Sequence, residues 1–165
     1  MPSLQFVYKR SNNRVSYSSP VTANAIGGTE ITELTSTITL KDPRSIILIK
    51  LNITCESNDQ ANNIFRLVRS VPGLPDVYVG NNTTDNGRWA GWAHQGYDQD
   101  DSTTPRTNHH VLIDTPRTNL PVTYKFLTAA TAGTAYTFFL NRDVRAIGAD
   151  IDEVGISQVI LQEFI

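Results

Sequence analysis

The chain has 165 residues, with 14 Lys and Arg against 16 Asp and Glu for a formal net charge of −2. That length suits one domain burying about 70% of its unfolded surface, and that balance gives no electrostatic footprint for nucleic acid or an anionic membrane. The single cysteine, Cys55, excludes an internal disulfide framework. Residues 1–10 hold no apolar run of signal-peptide length, and the longest aliphatic block, Ile46-Ile47-Leu48-Ile49, falls far short of the roughly 20 residues a membrane span needs, so a soluble protein made in a reducing cytoplasm is expected.

Thr, Asn, Ile and Val are abundant while Lys, Glu and Met are scarce, a balance that favours strands and turns over helices. Residues 1–28 read as an N-terminal arm. Val7, Tyr8, Tyr17 and Val21 are apolar, but Lys9-Arg10-Ser11-Asn12-Asn13-Arg14 interrupts them with charge and turn formers, and Gly27-Gly28 breaks the chain. Over 34–40, Leu34, Ser36, Ile38 and Leu40 share a face against Thr35, Thr37 and Thr39. After the Asp42-Pro43-Arg44 turn, Ile47, Ile49, Leu51, Ile53 and Cys55 share another face. The opposite face of that strand is also apolar at its start, which predicts a central position. Strands follow at 64–71 and, briefly, at 77–79; Asn86-Gly87 is a hairpin signal, and 88–97 is a Gly- and Ala-rich candidate. Four more are expected at 109–113, 122–128, 135–140 and 157–164, the last with Val159, Leu161 and Glu163 pointing one way and Gln158, Ile160, Gln162 and Phe164 the other. That final strand runs to the end of the chain and should place it in the sheet. About eight principal strands without an amphipathic helix predict an all-β protein: an antiparallel β-sandwich, jelly-roll-like, over 29–165, with a barrel or immunoglobulin-like topology as the alternative. The pentapeptide Thr104-Pro105-Arg106-Thr107-Asn108 recurs as Thr115-Pro116-Arg117-Thr118-Asn119, two similar turns at opposite ends of one strand.

The residues that could carry chemistry are few. His109 and His110 are adjacent, so on a strand they face opposite ways and cannot ligate one metal within one chain; one packed and one solvated histidine is expected. Asp98, Asp100 and Asp101 supply oxygen density of the kind calcium uses, but without the glycine and distal glutamate of an EF-hand loop they read as a solvated acidic loop. Trp89, Trp92, His94 and Tyr97 cluster beside Asp98 and Asp100, and aromatic rings next to amides and carboxylates are what a sugar-binding groove needs. These six are the candidate glycan or partner contacts, although Trp89 and Trp92 alternate on a strand and at least one should pack inward. No nucleophile elbow or phosphate-binding glycine loop occurs. No catalytic residue, metal ligand or cofactor is expected, and the chain does not read as an enzyme.

Six motifs in order resemble a β-sandwich module common in bacteriophage virion proteins, found at the ends of tail fibres or as small structural proteins. They are Asp42-Pro43-Arg44-Ser45-Ile46-Ile47-Leu48-Ile49, Phe65-Arg66-Leu67-Val68-Arg69, Leu112-Ile113-Asp114-Thr115-Pro116, Thr123-Tyr124-Lys125, Phe139-Leu140-Asn141-Arg142 and 157–164. The stretch 72–107 has no counterpart, and Arg44-Ser45-Ile46 stands where the module would carry Ser-Ser-Lys. The resemblance implies a homotrimeric, non-enzymatic protein of the virion surface, made in the host cytoplasm and partnered by capsid shell or tail components. The short segment before the module favours a head decoration (cement) protein whose arm, 1–28, grips the shell. The alternative is a tail-fibre or receptor-binding tip that binds host-surface glycans.

Overall fold

Ile47, Ile49, Leu51, Ile53 and Cys55 are all fully buried along one side of a single twelve-residue strand, which organises half the molecule. The computed structural model describes residues 2–22, 27–58, 63–80, 92–94, 104–130, 133, 135–145 and 153–165. Among these lie twelve strand segments and no helix: β1 (Ser3–Ser11), β2 (Val15–Ser19), β3 (Thr29–Glu30), β4 (Ser36–Thr39), β5 (Ile46–Ser57), β6 (Asn63–Ser70), β7 (Val77–Tyr78), β8 (Trp92–His94), β9 (Arg106–Asp114), β10 (Pro121–Ala130), β11 (Tyr136–Leu140) and β12 (Ser157–Phe164). Every pairing between them is antiparallel.

The segments form two sheets of six, and in each sheet end-to-end pairs reduce six segments to four lanes. In the first, β12 and β11 lie one after the other along one side of β5, with Gln158 opposite Asn52 and Leu140 opposite Cys55. Outside them β1 pairs β12 and β2 pairs β11, forming one interrupted lane. β9 covers the other side of β5, from Asp114 opposite Ile47 to Arg106 opposite Cys55. In the second sheet β10 and β6 are central, flanked by β4 and β3 on one side and by β7 and β8 on the other. Eight lanes in two sheets are the expected jelly-roll-like antiparallel sandwich, with β5 as central as its two-sided apolar start predicts.

The core between the sheets is made by the inward half of each alternating strand: Ile38 and Leu40, the β5 row, Phe65 and Leu67, Val122, Tyr124 and Phe126, Phe138 and Leu140, Val159 and Leu161. Polar side chains clasp the two layers together. Asp114 on β9 accepts Arg69 Nη1 at 2.8 Å and Tyr124 Oη at 2.8 Å from the opposite sheet. The buried Glu163 carboxylate on β12 accepts the backbone N–H groups of Lys41 and Asp42 at 2.9 and 3.2 Å and the Gln5 amide at 2.6 Å. Arg66 on β6 is also fully interior, donating to Thr22 Oγ1 and Gly27 O at 2.7 Å each, with its guanidinium over the Tyr78 ring.

One expectation changes. The stretch read as an arm supplies β1 and β2, both integral to the first sheet. The charge that interrupted its pattern is structural: Lys9 reaches inward and its ammonium donates to Thr32 O at 3.0 Å and Thr35 O at 2.9 Å. Asn12, Asn13 and Arg14 mark only the gap between the two strands. The first copy of the repeated pentapeptide likewise contributes Arg106, Thr107 and Asn108 to β9 rather than to a turn.

Candidate functional site

The outer face of the first sheet combines an apolar field and a polar cavity. Its rows can be read across the register. Phe6, Gln162, Leu48 and Ile113 form one row, and Tyr8, Ile160, Lys50 and Val111 the next. Four of these side chains point into solvent: Phe6 is 69% exposed, Tyr8 51%, Val111 66% and Ile113 61%. Leu48, Ile160, Ile46 and Phe164 are half-buried beside them. Four lanes about 4.8 Å apart and three rows of side chains span roughly 400 Å² of sheet, mostly apolar but interrupted by Gln162 and the exposed Lys50.

Further along the same face the rows turn polar, through Arg10, Gln158, Asn52 and His109 to Thr54 and Thr107. His109 Nδ1 lies 2.7 Å from Asn52 Oδ1, and the Thr54 and Thr107 hydroxyls are 2.9 Å apart. Here both interrupted lanes break at the same level, because the chain leaves the sheet after β11 and re-enters at β12. Asn141 holds the break. Its backbone N–H donates to Thr54 O at 2.8 Å, and its side-chain amide donates to Ser11 O at 3.0 Å and Asn13 O at 2.9 Å. It has φ 58°, a left-handed conformation that Asn tolerates better than most residues.

The returning strand passes directly over β5 at Gly155, whose N–H donates to Asn141 O at 3.1 Å. A Cβ there would lie 2.1 Å from Thr54 Cγ2 and 2.7 Å from Thr54 Cβ, so only glycine fits. The crossing leaves an open cavity of about 740 Å³ on the outer face, lined by Arg10, Asn12, Arg14, Thr107, Glu153 and Ile156 among others.

Of the expected contact residues, Trp92 is the one whose side chain lies among the described residues. Trp92 lies on β8, half-buried against the core; its ring stacks at 5.3 Å from His110, which meets Phe65 edge-on at 6.1 Å. Trp92 is therefore the inward-packing tryptophan rather than a groove wall. His94 belongs to the backbone of β8, while Trp89, Tyr97, Asp98 and Asp100, with Asp101 and the Asn86-Gly87 hairpin signal, lie outside the described residues. The two adjacent histidines behave as alternation requires: His109 is exposed and His110 is packed, where burial and the neighbouring His109 charge push its pKa down. Cys55 is fully buried, accepts Asn108 Nδ2 at 3.5 Å, and burial pushes its thiol pKa far up, so it is no nucleophile. Among the described residues no group of three or more His, Cys, Asp and Glu could hold a metal ion, and no helix is long and apolar enough to cross a membrane.

Sequence reasoning missed the cavity because it needs three distant segments. Arg10 and Arg14 fell in a supposed arm, and 154–156 read as the lead-in to the closing strand; Gly155 is the one local signal of a close approach.

No family model matches the chain, and no curated protein matches it. Among solved structures it is similar to that of the infectious bursal disease virus Gt strain, with a TM-score of 0.45 and 9% identity over 98% of this chain and 38% of that one. It is also similar to the crystal structure of the infectious bursal disease virus VP2 subviral particle, with a TM-score of 0.38 and 12% identity over 99% of this chain and 42% of that one. The chain thus spans less than half the length of either, and its architecture is established by its own strand pairing.

Proposed function

We propose that this chain is a non-enzymatic structural protein of the bacteriophage virion surface, a homotrimeric head decoration (cement) protein that docks through the outer face of its first sheet. The observation that supports this reading is the exposed field around Phe6, Tyr8, Val111 and Ile113 on one sheet face, a patch of the size that is often functional. The order of motifs that resembles phage virion modules supports it from the sequence side. Its mechanism is interface area: a trimer bridging several shell subunits buries surface on each and opposes internal pressure through multivalent contact, without chemistry. Because 3–19 is part of the sheet, the gripping element is the sheet face itself rather than a detachable arm.

Gold-labelled antibody on particles tests the location, with label on heads supporting decoration and label on tail tips overturning it. Light scattering on the purified chain tests the assembly, with a mass near three times 18.3 kDa expected. The second reading, a tail-fibre or receptor-binding tip that binds host-surface glycans, draws on the polar cavity beside the apolar field.

A further inference from the structure

The geometry points to the cavity at the break in the first sheet as a binding site for an acidic saccharide, a sugar ring carrying a carboxylate. This inference holds for either location on the particle.

Three observations carry it. First, Arg10 and Arg14 both line the cavity, and neither guanidinium makes a hydrogen bond or ion pair among the described residues. Four other cations are paired, Arg44 with Asp42, Arg69 with Asp114, Lys125 with Asp76 and Arg145 with Asp143. Two uncommitted guanidiniums at one opening form a donor array suited to a carboxylate, which guanidinium binds through paired N–H groups.

Second, the remaining wall suits a polyhydroxylated ring rather than a bare anion. Asn12 and Thr107 offer amide and hydroxyl groups, Glu153 offers an acceptor for sugar hydroxyls, and Val154 and Ile156 present exposed apolar surface to a ring face. The Glu153 carboxylate also opposes a densely charged polyanion, so the site favours one negative charge surrounded by hydroxyls over a nucleic acid or a polyphosphate.

Third, the wall is held rigidly in place. Gly155 is pressed against Thr54, Thr54 Oγ1 is within 3.0 Å of Ile156 O, and Arg142 bridges to Val154 in antiparallel register. Asn141 fixes the gap between β1 and β2 from which Asn12 and Arg14 project. A preformed site loses less to ordering on binding, and three copies in a trimer would gain avidity from individually weak sites.

The test uses the full-length protein in isotope-edited NMR, following the Arg10 and Arg14 side-chain Nε–H signals. Glucuronic acid, N-acetylneuraminic acid, galactose, inorganic phosphate and a short single-stranded DNA are titrated in turn. Saturable shifts at both arginines with one of the two acidic sugars, and at least ten-fold weaker response to galactose and to phosphate, are expected; which acid binds tighter distinguishes the uronate from the sialate class. Arg10→Ala with Arg14→Ala should weaken acidic-sugar binding at least ten-fold while the melting temperature holds, since both side chains are exposed. If that double variant does not fold, Arg10→Gln and Arg14→Gln singly should each weaken it several-fold. Equal response to phosphate, tighter binding of the DNA, no shift at either arginine with the acidic sugars, or undiminished binding by the variants would each overturn the proposal. Because the readout is at the cavity of the free protein, its failure leaves the decoration reading untouched.

Discussion

Ser157 Oγ donates to Asn141 Oδ1 across 2.6 Å, and the same hydroxyl accepts the backbone N–H of Thr54 at 3.0 Å. These two side chains close the point at which the chain leaves the first sheet and returns to it. Both residues are fully buried. Asn141 spends its amide N–H groups on the carbonyls of Ser11 and Asn13 and its oxygen on Ser157, so one side chain joins the ends of β1, β11 and β12 to the middle of β5. A sheet with breaks in two adjacent lanes would otherwise have unpaired backbone groups in its interior, which are costly.

Asn141→Ala should therefore destabilise the protein by roughly 2–4 kcal/mol, through stranded buried acceptors and an L side chain forced into the left-handed region. Asn141→Gly removes the same hydrogen bonds but relieves the backbone, so it should be about 1 kcal/mol less damaging than the alanine variant. Urea unfolding of the three proteins checks both numbers, and equal losses for Ala and Gly would show that the φ of 58° contributes nothing.

Gly155→Ala should be damaging for a different reason. The added methyl would lie 2.1 Å from Thr54 Cγ2, on a segment fixed by the Gly155 N–H bond to Asn141 O and leading into β12. Overpacking of this kind costs about 1–3 kcal/mol. Adding Thr54→Ser removes the nearest atom and should restore part of the loss, leaving the 2.7 Å approach to Cβ as the residue of the effect. A double variant no more stable than Gly155→Ala alone would refute the steric account.

Glu163 gives the sheet contact a pH dependence. Burial pushes its carboxyl pKa up, but the neighbouring Ser45 hydroxyl and hydrogen bonds from the Asp42 N–H, the Gln5 amide and the Lys41 N–H outweigh burial and hold it below its ordinary 4.5. A depressed carboxylate stabilises the fold fully above its unfolded value and loses that contribution as pH falls through its folded value. Stability should thus decline as pH drops below about 4.5, and Glu163→Gln should flatten that part of the profile while lowering stability at neutral pH. Thermal melts of both proteins between pH 3 and 7, buffered at about 0.1 M salt, would show it; parallel profiles would remove Glu163 as the cause.

The sheet faces were legible in the sequence because period-two alternation is a direct consequence of strand geometry. Val159, Leu161 and Glu163 share one face as read, as does the row from Ile47 to Cys55, and in both strands that face is the buried one. What alternation could not reveal is which interruptions are gaps within a lane. The Lys9 to Arg14 run looked like the end of structure, yet Lys9 is an inward-facing strand residue whose ammonium finds two carbonyls of a turn more than twenty positions away. Arg66 was hidden in the same manner: a charged residue in a strand pattern reads as outward, but it is satisfied by Thr22 and Gly27, which only the fold brings near. Trp92 was half legible. Alternation predicted that one tryptophan packs, and the partner that receives it, His110, comes from the other sheet.

Tyr124 and Arg69 both reach Asp114 across the core, so the pair offers a measure of how strongly the sheets are tied. Tyr124→Phe removes one hydrogen bond to a carboxylate acceptor and should cost about 1.5–3 kcal/mol, while the Arg69 contact to Asp114 remains. Asp114→Asn should cost more, because it weakens both contacts at once. A cycle combining Tyr124→Phe with Arg69→Met should show non-additivity of 0.5 kcal/mol or more, as expected for residues sharing one partner. Strict additivity would mean that the two bonds to Asp114 are energetically independent.

The apolar field gives the prediction that bears most on function. Phe6 and Val111 are mostly exposed on strands at opposite edges of the sheet face, so Phe6→Ser with Val111→Thr should change the stability of the isolated chain by no more than about 0.5 kcal/mol per site. Incorporation into particles should nevertheless fall, because the substitutions remove the most exposed apolar side chains from both margins of the proposed docking surface. Truncating 1–28 cannot serve this purpose, since it would remove β1 and β2 from the sheet and confound binding with unfolding. Quantifying the variant on purified particles against the parent chain, with melting curves run in parallel, separates the two effects. Normal incorporation of a stably folded double variant would show that the virion contact lies elsewhere on the molecule.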